Sequence, residues 1–201
     1  MNHEHEVTHL SEVDRRKFLQ LSSLATGLVF ANSILSLDSA TALPTAKLPG
    51  FTAFAKSVKV FKSGKYYLVE SNGIPAHQMM VGIKSWQQQV PTIQNYAGTN
   101  AWSIPIKPVI ATNPISAKDH FLRGAIAIAV NGVPIFNALN NRGDDALLAG
   151  ELDDWGGHCG RADDYHYHIA PTHLQSVVGK KVPIAYALDG FPIYGDRKSV
   201  V

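Results

Sequence analysis

The residues that could do chemistry crowd into one segment of the second half of the chain. Asp153-Asp154-Trp155-Gly156-Gly157-His158-Cys159-Gly160-Arg161-Ala162-Asp163-Asp164-Tyr165-His166-Tyr167-His168 carries three of the nine histidines and the one cysteine. On a strand, residues two apart share a face, so His166 and His168 point the same way while Tyr165 and Tyr167 point to the other. Two imidazoles so placed supply half of a metal site, and His158 can return to that face across a Gly- and Asp-rich loop. Cys159 and His173 are further donors within reach. Three imidazoles with an optional thiolate suit a divalent zinc or copper ion, with water or substrate in an open position. Asp144, Asp145, Glu151, Asp153, Asp154, Asp163 and Asp164 concentrate in the same region, where carboxylates attract cations and orient imidazoles. Asp163 and Asp164 also read as a solvated turn. Cys159 as a nucleophile with a histidine base is a weaker alternative, because sequence neighbours rarely present their side chains to each other.

Elements must hold these residues in place, and the chain offers short strands. Val58 to Phe61 alternates as a strand, Ser63-Gly64 is a turn, and Lys65 to Glu70 is a second strand before Ser71-Asn72-Gly73. Gly124 to Val130 and Val182 to Leu188 read as buried strands. Asn95 to Pro114 looks irregular around Ala101 to Ile106, and Trp86 to Ile93 carries no assignable pattern. Helical periodicity is confined to a turn or two near Ala146 to Leu152 or His173 to Val178. One unit recurs: Ala127-Ile128-Ala129-Val130-Asn131-Gly132-Val133-Pro134-Ile135-Phe136 matches Ala185-Tyr186-Ala187-Leu188-Asp189-Gly190-Phe191-Pro192-Ile193-Tyr194 in residue type, with a weaker copy at Leu68 to Pro75. Each predicts a hairpin with a two-residue Asx-Gly loop, and a proline that belongs on an edge strand or outside the ladder.

The whole chain has 201 residues, 45% hydrophobic and 17% charged, enough apolar content for one packed domain. A net charge of +2 and the absence of a basic run beyond the N-terminus argue against nucleic acid as partner. Asp14-Arg15-Arg16-Lys17-Phe18-Leu19 resembles a twin-arginine export signal; a moderately apolar stretch from Leu21 to Leu37 and a small-x-small site, Ala40-Thr41-Ala42, come next in order. Residues 1–42 are therefore expected to be a signal peptide. The twin-arginine export machinery is the expected partner, the periplasm or exterior the destination, and no stable membrane anchor remains after cleavage. A single cysteine excludes an intramolecular disulfide. The last six residues, Asp196-Arg197-Lys198-Ser199-Val200-Val201, equal one reading-frame translation of a widely used sequencing adapter. Residues 196–201 are thus expected to be a non-native tail on a domain spanning 43–195 that is cut short.

Tyr165-His166-Tyr167-His168, Gly157-His158, Ala187-Leu188-Asp189-Gly190-Phe191-Pro192-Ile193-Tyr194-Gly195 and Ser71-Asn72-Gly73-Ile74-Pro75-Ala76-His77 together resemble the YHYH-motif domain of exported proteins, a family without an established activity. The resemblance adds His77 as a candidate fourth ligand. Many members carry a cysteine before the Gly-His pair and another after the second histidine; here the cysteine follows His158, and Thr172-His173-Leu174 stands in the later segment.

The fold expected is mainly β, a single domain of short antiparallel strands and long loops, sandwich- or barrel-like, with internally repeated hairpin units. The function expected is metal binding through His158, His166 and His168, with His77 and Cys159 as additions and Tyr165, Tyr167, Asp163, Asp164 and Asp189 around them. The alternatives are a non-enzymatic module binding sugar or peptide on Trp155, Tyr165 and Tyr167, or a metal chaperone. Whether the ion is catalytic stays open at this level.

Overall fold

Two β-sheets form the fold: the first strand of one, Val58–Ser63, alternates between buried and exposed residues at its start, whereas most strands of the other are buried at consecutive positions. The computed structural model describes residues 46–87, 100–160 and 164–195. The segments expected to be a signal peptide (1–42) and a non-native tail (196–201) lie outside the described residues, as do Asp163 and most of the glutamine-rich stretch.

The first sheet is an antiparallel meander of β1 (Val58–Ser63), β2 (Tyr66–Ser71) and β3 (Asn100–Pro105). β1 and β2 join through a two-residue turn in which Gly64 takes φ +54°, a conformation glycine adopts without steric cost. β3 arises inside the region expected to be irregular; its Ile104 is buried in the core.

The second sheet has the order β6-β7-β5-β4-β8-β9, from β4 (Ala125–Ala129), β5 (Pro134–Phe136), β6 (Gly157–His158), β7 (His166–Tyr167), β8 (Ala185–Ala187) and β9 (Pro192–Ile193). Pairing is antiparallel except for the parallel β5–β7 pair, where Ile135 faces Tyr167. The long excursion between Phe136 and His166 makes this possible, because parallel neighbours need a crossover rather than a tight turn.

The repeated unit is real in three dimensions. In one copy Ala129 N–H donates to Val133 O (2.9 Å) and Gly132 N–H to Ala129 O (2.8 Å). In the other, Ala187 N–H donates to Phe191 O (2.9 Å) and Gly190 N–H to Ala187 O (2.9 Å). Asn131 Oδ1 accepts from Val133 N–H, as Asp189 Oδ1 does from Phe191 N–H. The two hairpins pair through β4 and β8 with Ile128 opposite Tyr186, Ala127 opposite Ala187 and Ala129 opposite Ala185. Ile128 and Tyr186 are equivalent positions of the repeat, so a local two-fold axis passes between them.

Two details differ from expectation. The loops have three residues, not two: Gly132 and Gly190 take positive φ while Asn131 and Asp189 do not. A two-residue type I′ loop needs positive φ at both positions; a type I turn closed by a left-handed glycine needs it only at the glycine. The prolines are also not both on edges, since β5 lies inside the sheet. Pro134 is tolerated as that strand's first residue, where its missing N–H costs no ladder bond. The weaker copy keeps the Asx turn, with Ile74 N–H on Asn72 Oδ1 (3.1 Å), but forms no hairpin.

Val58, Val60, Val69 and Ile104 of the first sheet and Ala127, Ile128, Ile135 and Ala185 of the second belong to one buried cluster. Ser71 Oγ donates to Gly132 O at 2.6 Å, and a Cβ on Gly132 would meet Ser71 and Val58. The sheets therefore pack as a sandwich. Neither closes on itself among the described residues, so the barrel alternative is not realised. Among the described residues, helix is limited to 3-10 turns at Phe51–Phe54 and Thr172–Leu174 and to α1 (Gln175–Val178). Ala146 to Leu152 is a run of turns started by Asp145, whose Oδ1 accepts from Leu147 and Leu148 N–H.

Candidate metal centre

β6 and β7 place the histidines. His158 pairs across the ladder with His166, and Gly157 with Tyr167. Residues opposite each other share a face, so His158 and His166 meet. His168 lies two positions on, and its N–H donates to Gly156 O at 2.9 Å. The glycines before His158 are there for space. A Cβ on Gly157 would sit 2.6 Å from the Tyr165 ring and 2.7 Å from His166 O; Gly156 holds φ +82° against Ile169.

The three rings form a nearly equilateral triangle, with centroid separations of 5.0, 4.8 and 5.0 Å. One nitrogen from each lies within 4.8 Å of the others. The rings are oriented by backbone carbonyls: His158 Nδ1 on Glu151 O at 2.8 Å, His166 Nδ1 on Asp164 O at 2.7 Å, and His168 Nδ1 on Asn137 O. A carbonyl can only accept, so each Nδ1 carries the proton and donates, which leaves Nε2 with its lone pair. His168 Nε2 and His158 Nε2 approach to 3.1 Å. Facing lone pairs at that distance repel unless a cation or a proton lies between them. Burial, reinforced by the neighbouring imidazoles, holds the pKa of His166 at about 3 and that of His168 at about 4. Both are neutral at ordinary pH, the state in which imidazole binds metal.

The opposite side of β7 gathers the rest of the chemistry. Tyr165 and Tyr167 are buried there. Tyr165 Oη donates to Asp153, whose carboxylate also accepts from the N–H groups of Met80, Trp155 and Gly157. Asp153 thus ties the 77–81 loop and the turn before β6 to β7. His77 Nε2 bonds Tyr167 Oη at 2.8 Å, and Asn131 Nδ2 donates to the same hydroxyl at 3.0 Å. His77 stacks on Trp155, and His173 packs edge-on against both. Burial, with the Asp153 carboxylate nearby, raises the pKa of both tyrosines and keeps them protonated.

The sequence candidates therefore divide. His158, His166 and His168 converge. His77 does not join them: it packs with the tyrosines on the far side of the strand. Cys159 does not either. It is fully buried in the core, with its N–H on Met80 Sδ, and is closed to solvent as a nucleophile. Asp164 contributes through its backbone carbonyl. Asp189 is exposed and serves its own turn. The acidic concentration has a structural role instead: Glu151 is ion-paired with Arg142, and Asp145 and Asp153 organise turns. Missed by sequence reasoning were the carbonyls of Glu151 and Asn137 and the ring of Phe136, stacked on His166 at 4.0 Å. Every residue has a carbonyl, so its position as an acceptor has no sequence signature. Phe136 was visible only as part of the repeat.

Fold and site together define an open β-sandwich with three buried imidazoles converging on one point. The chain carries a domain of the YHYH family: the family model described as "YHYH protein" matches residues 101–200. That span includes all three histidines and both repeated hairpins. No curated protein and no solved structure matches the chain.

Proposed function

We propose that this is an exported protein that binds one divalent ion, zinc or copper, through the Nε2 atoms of His158, His166 and His168. The observation that carries the reading is the convergence of three lone pairs, each aimed by an Nδ1–H donated to a carbonyl. The donor set fits: three neutral imidazoles, each oriented through its second nitrogen, are what both ions prefer. With His77 and Cys159 elsewhere, protein ligands fill three positions, the pattern of sites that keep one position for water or substrate. A zinc ion held by these three imidazoles would supply Lewis acidity, the chemistry that metal-assisted hydrolysis starts from. Arg15-Arg16 and the apolar stretch behind them support export through the twin-arginine route. No helix of the described residues is long and apolar enough to cross a membrane.

Two rival readings lose ground. Of the three residues that a sugar- or peptide-binding surface would use, Tyr165 and Tyr167 are buried at 1% and 0% exposure, which leaves Trp155 alone at the surface, at 37%. A chaperone must hand its ion over, and the ligands here are only 3–7% exposed. Elemental analysis of the folded protein from its native compartment tests the proposal. One ion per chain is expected, and its loss in the His166→Ala, His168→Ala double variant. A parent protein without stoichiometric metal overturns the reading.

A further inference from the structure

Beside His168 lies a cleft of 440 Å³ walled by Ile126, Ile135, Phe136, Leu139, Ile169 and Ile193. His168 is part of the wall, and Phe136 lies between the cleft and the ring of His166, on which it stacks. The volume falls in the ordinary range for small-molecule sites, roughly 300–1,000 Å³. Lys118 is the one charged residue of the lining.

We propose that this cleft receives the apolar body of a small neutral or anionic substrate whose oxygen-bearing head occupies the open position of the ion. The proposal rests on the three-histidine metal reading. One shared residue carries it: His168 belongs both to the ligand triangle and to the cleft wall, so a molecule lying on the apolar wall touches one of the three imidazoles of the centre. Aliphatic walls offer little to a sugar, whose hydroxyls would lose hydrogen bonds with water and gain few. Lys118 disfavours a cationic body. The substrate class is therefore an ester, amide or acid with an alkyl or aryl chain, rather than a carbohydrate or an amine.

The test uses the zinc-loaded full chain and straight-chain alkyl hydroxamates, from acetohydroxamate to octanohydroxamate, measured by titration calorimetry. Each buried methylene should tighten binding about fourfold until the cleft is full. An ω-ammonium analogue should lose that gain. Ala138→Trp and, separately, Ala170→Trp place a bulky ring in the lining at exposed positions. They should abolish the chain-length gain while leaving zinc content and acetohydroxamate affinity unchanged. Affinity independent of chain length, with acetohydroxamate still bound, overturns the cleft proposal and leaves the metal centre standing. A gain that persists in both folded tryptophan variants also overturns it. Failure of the parent to take up zinc overturns both.

Discussion

Each of the three imidazoles donates from one nitrogen to a backbone carbonyl and turns the other toward its neighbours. That arrangement has a cost without an ion. His166 and His168 titrate near 3 and 4 in the folded chain because burial disfavours their charged forms. In the unfolded chain the same groups titrate at about 6.5. Between those values the unfolded state binds more protons, so folding stability falls as pH falls. The stabilisation is complete above about pH 6.5 and is lost as pH drops towards about 4 and then about 3. Urea midpoints of metal-free protein from pH 7.5 to 4 should fall along this course. The slope should be shallower in a His166→Leu, His168→Leu variant, and equal slopes would rule out these groups as the source. At this scale the sequence was informative about which residues carry chemistry. It was silent about the carbonyls of Glu151, Asn137 and Asp164 that orient the rings, because a carbonyl's role depends on where the backbone passes.

The β6–β7 ribbon is the smallest element that makes the site. Its pairing puts His158 opposite His166, and that pairing is possible because Gly157 has no side chain. Gly157→Ala should therefore force the ribbon apart, at a cost of about 1–3 kcal/mol typical of overpacking. Metal affinity should fall with it. A variant with the parent's melting temperature and zinc affinity would show that the close approach to Tyr165 is not needed. Strand alternation was readable from Tyr165-His166-Tyr167-His168, and it correctly separated histidines from tyrosines. His77 was misassigned for a reason of the same kind. The Asn72-Gly73 turn copies the local Asx bond of the other two units but not their hairpin, so the chain leads His77 to the tyrosine side. Local turn chemistry is encoded in a few residues; the path of the chain beyond the turn depends on the strands available to pair.

At the level of the whole molecule, the sheet without any of the three histidines helps hold the sheet that has them. Ile104 of β3, 1% exposed, packs in the core shared with Ile128 and Ala185. Ile104→Ala should destabilise the fold by about 2–5 kcal/mol. Unfolding followed by far-ultraviolet dichroism and by tryptophan fluorescence should stay coincident, as for one cooperative unit. Separate transitions would show that the sheets fold independently. The hairpins around the axis through Ile128 and Tyr186 were legible as a sequence repeat. The order of the sheet was not, above all the parallel insertion of β7 beside β5.

By itself the sequence determined the mainly β class, the repeated Asx-Gly unit, the two faces of the Tyr-His-Tyr-His strand and the three histidines worth pursuing. These rest on short-range rules: side-chain alternation along a strand and the backbone freedom of glycine. Tertiary structure alone decided that three donors converge rather than five, that Cys159 and His77 lie apart from them, and that an apolar cleft opens beside His168. Those outcomes depend on which strands pair and on what the long loop between Phe136 and His166 brings back. Such long-range contacts are chosen by packing of the whole core, which no local pattern of residues records.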